Sequence, residues 1–368
     1  MHLYIHVPYC VAKCPYCDFN SVAGRDDEHT AYVDALIADV RCLPRGPYQT
    51  IFIGGGTPTI LGERHLDRLL AGIRCHITLA PQYEWTCEAN PGSSDAARFA
   101  VLARHGVNRI SLGVQSTHEH HLRFLGRVHN AADAERAVAA ALAAVPRVSV
   151  DLMFGLPNQS EAEVESDLEL YRRHQLEHAS VYHLTYEPGT EFHAKRSRGE
   201  MADIDHERSH RLINLVQERL ASLGLIAYET SNFARPGAAC RHNLAYWQQH
   251  DYHAAGAGAV STIGSERTTR EPHPGRYIAA VAGAGQLIWK REPLSATDRL
   301  REAWMLGLRL AEGISTARLD ALGDSESRWR PLAQSLADLD LVELPPGHIR
   351  LAAKARHIQD ELTVRMMP

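Results

Sequence analysis

The sequence lacks any long apolar run. Its longest one, residues 137–146, is mostly alanine and falls well short of the roughly 20 residues that a membrane-spanning helix requires. The first eight residues contain no basic region followed by an apolar stretch. We therefore expect neither a transmembrane segment nor a signal peptide.

The chain also has little excess charge of either sign. Its 368 residues include 39 Lys and Arg against 44 Asp and Glu, a formal net charge of -5. A protein that binds a nucleic-acid backbone usually presents a strongly basic surface, so we expect no nucleic-acid partner. A content of 45% hydrophobic and 23% charged residues is typical of a globular protein. The length of 368 residues predicts one large domain and a small second one.

The seven cysteines are an odd number, and three of them lie between residues 10 and 17. Together with the missing export signal, this distribution favours metal binding over a disulfide framework. The predicted location is the reducing cytoplasm.

Short β-branched and aromatic runs alternate with longer helical patterns, which is typical of βα units and a parallel sheet. The predicted strands are residues 3–7, 50–53, 83–88, 109–114, 149–153 and 179–183. The predicted helices between and after them are residues 30–42, 65–75, 95–105, 131–144, 161–174 and 206–223. Six units are fewer than the eight of a closed barrel, so the sequence predicts an α/β fold with a partial (βα)6 barrel.

Three regions are expected along the chain. Residues 1–231 form the partial barrel, and residues 232–287 form a Gly- and Ala-rich connection whose periodicity is too poor to assign. Residues 288–368 return to a helical period and include a short hairpin, which predicts a small winged-helix-like α+β module. Because the chain carries a net negative charge, we interpret this module as a lid or docking element rather than a DNA-binding domain.

Cys10, Cys14 and Cys17 directly follow the first predicted strand with the spacing C-x3-C-x2-C. Three thiolates on one short loop can ligate three corners of a [4Fe–4S] cluster and leave the fourth iron open. The alternative is a zinc site, which needs a fourth ligand. His6, Cys87 and Cys240 are the candidates for that ligand.

Polar residues and glycines gather at the ends of the later strands. Gly55, Gly56 and Thr57 follow the second strand, where successive N–H groups are expected to form an anion-binding nest. Glu88, Gln115, Arg127 and Asp151 lie at strand ends or just beyond them. Each alone could make a core hydrogen bond or a ligand contact. Together they suit a ligand with an amine, a carboxylate and a ribose, as in S-adenosylmethionine.

The same motifs resemble a known family. The cysteine loop, Gly-Gly-Gly-Thr-Pro (54–58), Glu-Ala-Asn-Pro (88–91), residues 106–116 and Asp-Leu-Met-Phe-Gly-Leu-Pro (151–157) are similar to radical S-adenosylmethionine (radical SAM) enzymes of the oxygen-independent coproporphyrinogen oxidase group. The resemblance implies that the three cysteines hold the cluster, whose open iron takes the amino and carboxylate groups of the cofactor. It also implies an electron donor such as a flavodoxin or ferredoxin. The residues implied to line the cofactor site are Tyr4, Tyr16, Gly55, Gly56, Thr57, Glu88, Gln115, Arg127 and Asp151.

Within this group the chain resembles the HemW-type haem chaperones more than the oxidases. The oxidases carry a further cysteine two residues after the third one, where this chain has Phe19, and they have an extended N-terminal segment. Residues 242–247, His-Asn-Leu-Ala-Tyr-Trp, resemble the H-N-x-x-Y-W haem-binding motif of the chaperones. A histidine can ligate haem iron and aromatic rings can pack on a porphyrin. The alternative is that His242 caps a helix while Tyr246 and Trp247 are core residues.

The first functional hypothesis is thus haem binding and delivery to a haem-requiring, respiratory membrane protein, with any membrane association made through that partner. An oxidase that decarboxylates porphyrinogen propionates is the second hypothesis, and a radical enzyme acting on intact haem is the third. The sequence leaves the oligomeric state open. His118, His120 and His121 are interpreted as surface groups on an exposed turn.

Overall fold

The computed structural model describes residues 1–203 and 205–368. Up to residue 222 its elements are, in chain order, β1 (His2–Val7), β2 (Tyr9–Cys10), β3 (Val22–Ala23), α1 (His29–Arg41), β4 (Tyr48–Gly55), α2 (Glu63–His76), β5 (Leu79–Ala89), α3 (Ala96–Arg104), β6 (Arg109–Gln115), α4 (Glu119–Phe124), α5 (Ala131–Ala144), β7 (Arg147–Phe154), α6 (Glu161–Arg173), β8 (His178–His183), α7 (Glu191–Ser197) and α8 (His206–Ser222).

The later elements are β9 (Ile226–Ala227), β10 (Asn232–Ala234), α9 (Arg241–Trp247), β11 (Tyr252–Ala255), β12 (Val260–Ile263), β13 (Glu266–Arg270), α10 (Pro274–Val281), β14 (Ile288–Pro293), α11 (Ala296–Gly307), β15 (Ile314–Ser315), α12 (Thr316–Ala321), α13 (Glu326–Ala337), β16 (Val342–Glu343), β17 (His348–Leu351) and α14 (Gln359–Met366).

One large open sheet organises the fold. In the described residues it has twelve strands in the order β14-β13-β12-β11-β1-β4-β5-β6-β7-β8-β10-β9. The six predicted strands are β1, β4, β5, β6, β7 and β8, and each runs parallel to its neighbour. The predicted α/β fold with a partial (βα)6 barrel is confirmed.

The connection that could not be assigned from sequence adds strands to both edges of this sheet. β10 pairs antiparallel with β8, and β11 pairs parallel with β1. From β11 onward, β12, β13 and β14 continue the sheet as antiparallel neighbours. These strands have only three to six residues each, which is too short for a readable alternation. The expected boundary at residue 288 falls in β14, which pairs with β13.

A second apolar cluster begins at Leu300 and ends at Met366. There, helices α11 to α14 surround the three-stranded sheet β15-β17-β16. Trp304 is fully buried in this cluster and donates from Nε1 to Asp324 Oδ2 at 2.8 Å. The predicted small α+β module is therefore present. Among the described residues no helix is both long and apolar enough to cross a membrane.

A buried carboxylate attaches the added strands to the barrel. Asp39 of α1 is 1% exposed. It accepts hydrogen bonds from Tyr277 Oη at 2.9 Å, from the Gly256 N–H at 3.1 Å and from Arg270 Nη2 at 3.1 Å. Arg270 is itself 8% exposed, so neither charge has water as a substitute partner.

We expect Asp39→Ala to lower the free energy of unfolding by about 3–5 kcal/mol, because it leaves the Arg270 guanidinium buried without its counter-ion. Urea denaturation followed by circular dichroism measures this loss. The matched control is Asp34→Ala on the same helix, whose exposed pair with Arg68 contributes at most about 1 kcal/mol. Equal losses in both variants would contradict the role given to Asp39.

Candidate cofactor-binding site

The three clustered cysteines lie on one loop above the carboxyl ends of the parallel strands. Cys10 ends β2, and the Cys17 N–H donates to the Cys14 carbonyl at 3.1 Å. Cys14 Sγ accepts a hydrogen bond from Arg127 Nη1 at 3.3 Å, while Cys10 Sγ lies 3.7 Å from Thr57 Oγ1. All seven cysteines are free thiols. The loop therefore presents three thiols next to the strand ends.

These thiols open on a cavity of about 390 Å³. Its lining includes Cys10, Cys14, Tyr16, Cys17, Gly55, Gly56, Thr57, Glu88, Gln115, Arg127 and Asp151, which are all of the predicted cluster and cofactor residues except Tyr4. Parallel pairing explains the convergence, since the carboxyl ends of the strands meet at one edge.

Two half-buried carboxylates face the cavity. Glu88 Oε2 accepts the Gly55 N–H at 3.0 Å, and burial together with the nearby Asp151 raises the pKa of Glu88 to about 8. Asp151 accepts from Ser111 Oγ at 3.0 Å, and burial raises its pKa as well. Asp18 and Glu187 also line the cavity. Four carboxylates against the single guanidinium of Arg127 favour a ligand that carries positive charge.

The prediction of an anion-binding nest at the glycines is wrong. The Gly55 N–H is taken by Glu88, and those of Gly56 and Thr57 donate to the carbonyls of Val7 at 2.8 Å and Tyr9 at 2.7 Å. The glycines are required by the protein itself. Gly55 has a φ of +113°, and a side chain there would strike the His6 ring; at Gly56 it would lie 2.5 Å from the Tyr9 oxygen.

Asn90 is a site residue that the sequence reasoning missed. Its Nδ2 donates to Thr57 Oγ1 at 2.6 Å, and its Oδ1 accepts from Arg127 Nη2, which also donates to the Gly113 carbonyl at 2.8 Å. Asn90 thus joins the β4 turn to the arginine above Cys14. Its position two residues after Glu88, within the motif 88–91, was the available signal.

Gln115 reaches the cavity through an irregular backbone. It has a φ of +72°, and the pairing of β6 with β7 shifts register between Gly113 and Gln115. Such a bulge redirects a side chain at the end of a strand. Four further residues line the cavity and were not predicted: Ser111, Met153, Tyr182 and His183. An alternating strand pattern does not distinguish a residue that faces the lumen of the barrel from one that faces the apolar core between the sheet and the helices.

The two predicted tyrosines differ in position. Tyr16 lines the cavity and packs against Phe192, with ring centroids 6.3 Å apart. Tyr4 lies outside the cavity lining, where its Oη is hydrogen-bonded to His6 Nδ1 at 2.9 Å and its ring stacks on Phe52. Tyr4 therefore supports the site from below through His6.

His242, Tyr246 and Trp247 lie at the other end of the barrel, where the strands begin. His242 is 1% exposed, and its Nδ1 is 2.7 Å from Thr50 Oγ1. Thr50 precedes Gly55 by five residues on β4, about 16 Å along the strand at about 3.3 Å per residue. His242 stacks on Phe52, and burial lowers its pKa to about 3. The predicted haem motif is thus remote from the cysteine loop.

A zinc site at the cysteine loop has little geometric support. In tetrahedral zinc the sulfurs lie about 3.8 Å apart, given Zn–S bonds of about 2.3 Å. Across residues 1–203 and 205–368, three potential ligand atoms lie within 4.8 Å of one another only at His120, His121 and Glu163, so the thiols are spread more widely.

None of the candidate fourth ligands is free to join the loop. His6 has both nitrogens occupied, by Tyr4 and by the Asn20 carbonyl at 2.8 Å. Cys87 is buried in the apolar core between the sheet and the helices. Cys240 Sγ lies 3.6 Å from Glu84 Oε1, at the end of the barrel where the strands begin. The spacing and the surroundings fit a larger group held by three thiols.

Two family models and several known proteins are similar to this chain. The family model of the radical SAM superfamily matches residues 4–171, and that of the HemN C-terminal domain matches residues 294–358. The heme chaperone HemW of Escherichia coli is 40% identical over 327 residues, covering 85% of this chain and 83% of that protein. The heme chaperone HemW of Bacillus subtilis is 34% identical over 370 residues, covering 98% and 97%.

More distant similarities extend over the whole chain. The mouse mitochondrial radical S-adenosyl methionine domain-containing protein 1 is 33% identical over 389 residues, covering 100% of this chain and 87% of that protein. Among solved structures, coproporphyrinogen III oxidase (HemN) from Escherichia coli superposes with a TM-score of 0.83 at 22% identity, covering 99% of this chain and 89% of the other. At that identity the superposition establishes the shared fold.

The raised pKa of Glu88 predicts a pH-dependent stability of the ligand-free protein. Between pH 4.5 and about 8 the carboxyl ionises in the unfolded chain but stays protonated when folded, so the free energy of unfolding falls as pH rises through this window. Glu88→Gln keeps an acceptor for the Gly55 N–H and removes the ionisation. We expect this variant to gain stability over the wild type between pH 5 and pH 8, by at most a few kcal/mol.

Urea unfolding at pH 5, 6.5 and 8 measures this difference, with the exposed Glu165→Gln as the control. A gap between wild type and Glu88→Gln that does not change with pH would contradict the prediction.

Proposed function

Since this chain belongs to the HemW family of heme chaperones within the radical SAM superfamily, we propose that it holds a [4Fe–4S] cluster on Cys10, Cys14 and Cys17. We further propose that it binds S-adenosylmethionine in the adjoining cavity, and that it binds haem and delivers it to a haem-requiring respiratory protein. The observation that carries the cofactor proposal is the opening of three free thiols on the same cavity as the half-buried carboxylates of Glu88 and Asp151.

The cavity suits a ligand with a sulfonium and an amine. Both groups carry positive charge, which would balance the negative charges of Glu88 and Asp151. Arg127 carries the one guanidinium in the lining, which suits the ligand's carboxylate and the negative charge of ligated thiolates. Burial raises the pKa of Cys10 and Cys17, so metal binding there requires release of their protons. When bound, the reduced cluster and S-adenosylmethionine together supply a 5′-deoxyadenosyl radical.

The chain's own residues fix the geometry of this site. Glu88 holds the Gly55 N–H, Asn90 joins Thr57 to Arg127, and Arg127 donates to Cys14. These contacts connect the ends of β4 and β5 to the cysteine loop. The electron donor in this proposal is a flavodoxin or ferredoxin, and the protein works in the cytoplasm, with membrane contact only through its acceptor.

Haem ligation by His242 is part of the proposal and requires a conformational change. The imidazole is buried, while its Nε2 has no hydrogen-bond partner. Glu84 holds the start of helix α9 in place. Its carboxylate accepts hydrogen bonds from the backbone N–H groups of Arg241 at 3.1 Å and His242 at 3.0 Å. Haem reaches Nε2 only when this helix moves, so the apparent affinity is reduced by the fraction of molecules in the open state.

Phe19 separates this proposal from an oxidase. It lines the mouth of the cavity and is 59% exposed, where the resemblance implies a further cysteine in the oxidases. The shared fold leaves coproporphyrinogen decarboxylation as the second candidate function.

For the cluster, Cys14→Ala should remove most of the bound iron and sulfide and the broad visible absorption after anaerobic reconstitution, because a cubane cannot be held by two thiolates. Cys42→Ala is the matched control, since Cys42 is an exposed free thiol on another part of the chain. Undiminished iron and sulfide in Cys14→Ala would rule out the assigned ligands.

For haem, we expect anaerobic titration of the reconstituted protein to give stoichiometric binding that weakens at least tenfold in His242→Ala. Thr50→Val removes the hydrogen bond that seats His242 and should raise haem affinity several-fold. The exposed His206→Ala should match the wild type.

The same samples are assayed for coproporphyrinogen decarboxylation. Turnover without specific haem binding would replace the chaperone proposal by the oxidase. Unchanged haem affinity in both His242→Ala and Thr50→Val would place haem elsewhere on the chain.

A further inference from the structure

A second group of ligand-type side chains lies outside the cavity, between β6 and α6. The segment that leaves β6 carries His118, His120 and His121, and the latter two belong to α4. Across from them is Glu163 in the first turn of α6. The sequence-based interpretation of all three histidines as surface groups on an exposed turn is wrong for His121, which is 2% exposed.

The distances within this group match those of a bound metal ion. His120 Nε2 lies 3.0 Å and His121 Nε2 lies 3.6 Å from Glu163 Oε1. One nitrogen from each histidine and one carboxylate oxygen all lie within 4.8 Å of one another. With zinc bonds of about 2.0–2.1 Å, ligand atoms in a tetrahedral site are about 3.3 Å apart, which falls between the two measured separations.

The carboxylate is oriented by the start of its own helix. Glu163 Oε2 accepts the Ser160 N–H at 2.7 Å and the Ser160 hydroxyl at 2.8 Å, as part of a capping box. These bonds leave Oε1 directed at the two imidazoles. Hydrogen bonds that fix a ligand from behind are a regular feature of metal sites.

The buried histidine supplies a second, independent observation. His121 Nε2 is buried and has no hydrogen-bond partner within the protein, although it is aimed at Glu163. An unsatisfied buried nitrogen is costly, and a metal ion would satisfy it. His120 has a side-chain exposure of 57%, which gives an ion a path from solvent.

We propose that His120, His121 and Glu163 form a binding site for a divalent ion of the zinc class. Two imidazoles and one carboxylate suit zinc, with a water as the fourth ligand. The ion would join α4 to α6. Because α4 leads directly to Gly126 and Arg127, this joint would steady the segment whose arginine donates to Cys14.

The test is isothermal titration of the cluster-loaded protein with Zn²⁺ alone, so that the three thiols are occupied, with iron content measured before and after. We expect one tight site in the wild type and in Glu165→Gln, an exposed glutamate on the same helix. His120→Ala and Glu163→Gln should each lose at least tenfold in affinity.

A thermal scan provides a second readout on the same samples. Zinc should raise the melting temperature of the wild type and of Glu165→Gln, and at the same zinc concentration it should raise that of His120→Ala by clearly less. His120→Ala keeps the interaction of Ser160 with Glu163, so it tests the site without disturbing the helix cap. Zinc affinity equal to wild type in both site variants, or no stoichiometric zinc in the wild type, would overturn the proposal.

Discussion

Parallel pairing of β1 with β4 and onward to β8 determines where the cavity and the strand residues that line it lie. Because the strands run the same way, residues that are distant in sequence meet at their carboxyl ends. There the Glu88 carboxylate takes the Gly55 N–H, which ties one strand end to the next. The cysteine loop lies directly above this pair of strand ends, since it follows β1. A slip of one residue in register would turn Glu88 away from the lumen.

Much of the barrel could be predicted from the sequence, because strands buried on both sides read as apolar runs and their helices have a clear period. The edges could not. β11 to β14 are short, and their partners are one another and β1, so neither their length nor their pattern separates them from loops. What fixes them is the tertiary contact of Asp39 with Gly256, Arg270 and Tyr277, and no local pattern predicts that contact.

In the site, it was easier to predict which residues belong to it than to predict what each residue does there. The cysteine spacing and the presence of a charged Asp151 within an apolar strand are local features, so both were found. The glycines were found for a reason that the structure contradicts: Gly55 and Gly56 make room for His6 and Tyr9, and their N–H groups already have acceptors. Asn90 was missed because its importance lies in joining Thr57 and Arg127, which are 33 and 37 residues away in the chain.

Glu84 and Glu88 show why the role of a carboxylate within a strand cannot be assigned from sequence. Both belong to β5, and since they are four residues apart they point to the same face. Glu88 takes the Gly55 N–H in the cavity, whereas Glu84 takes two N–H groups at the start of α9. A negative charge at a helix N-terminus is stabilising, so Glu84 holds α9 and His242 in place. Access to His242 therefore depends on breaking the contacts of Glu84, a residue that touches neither the cavity nor the cysteine loop.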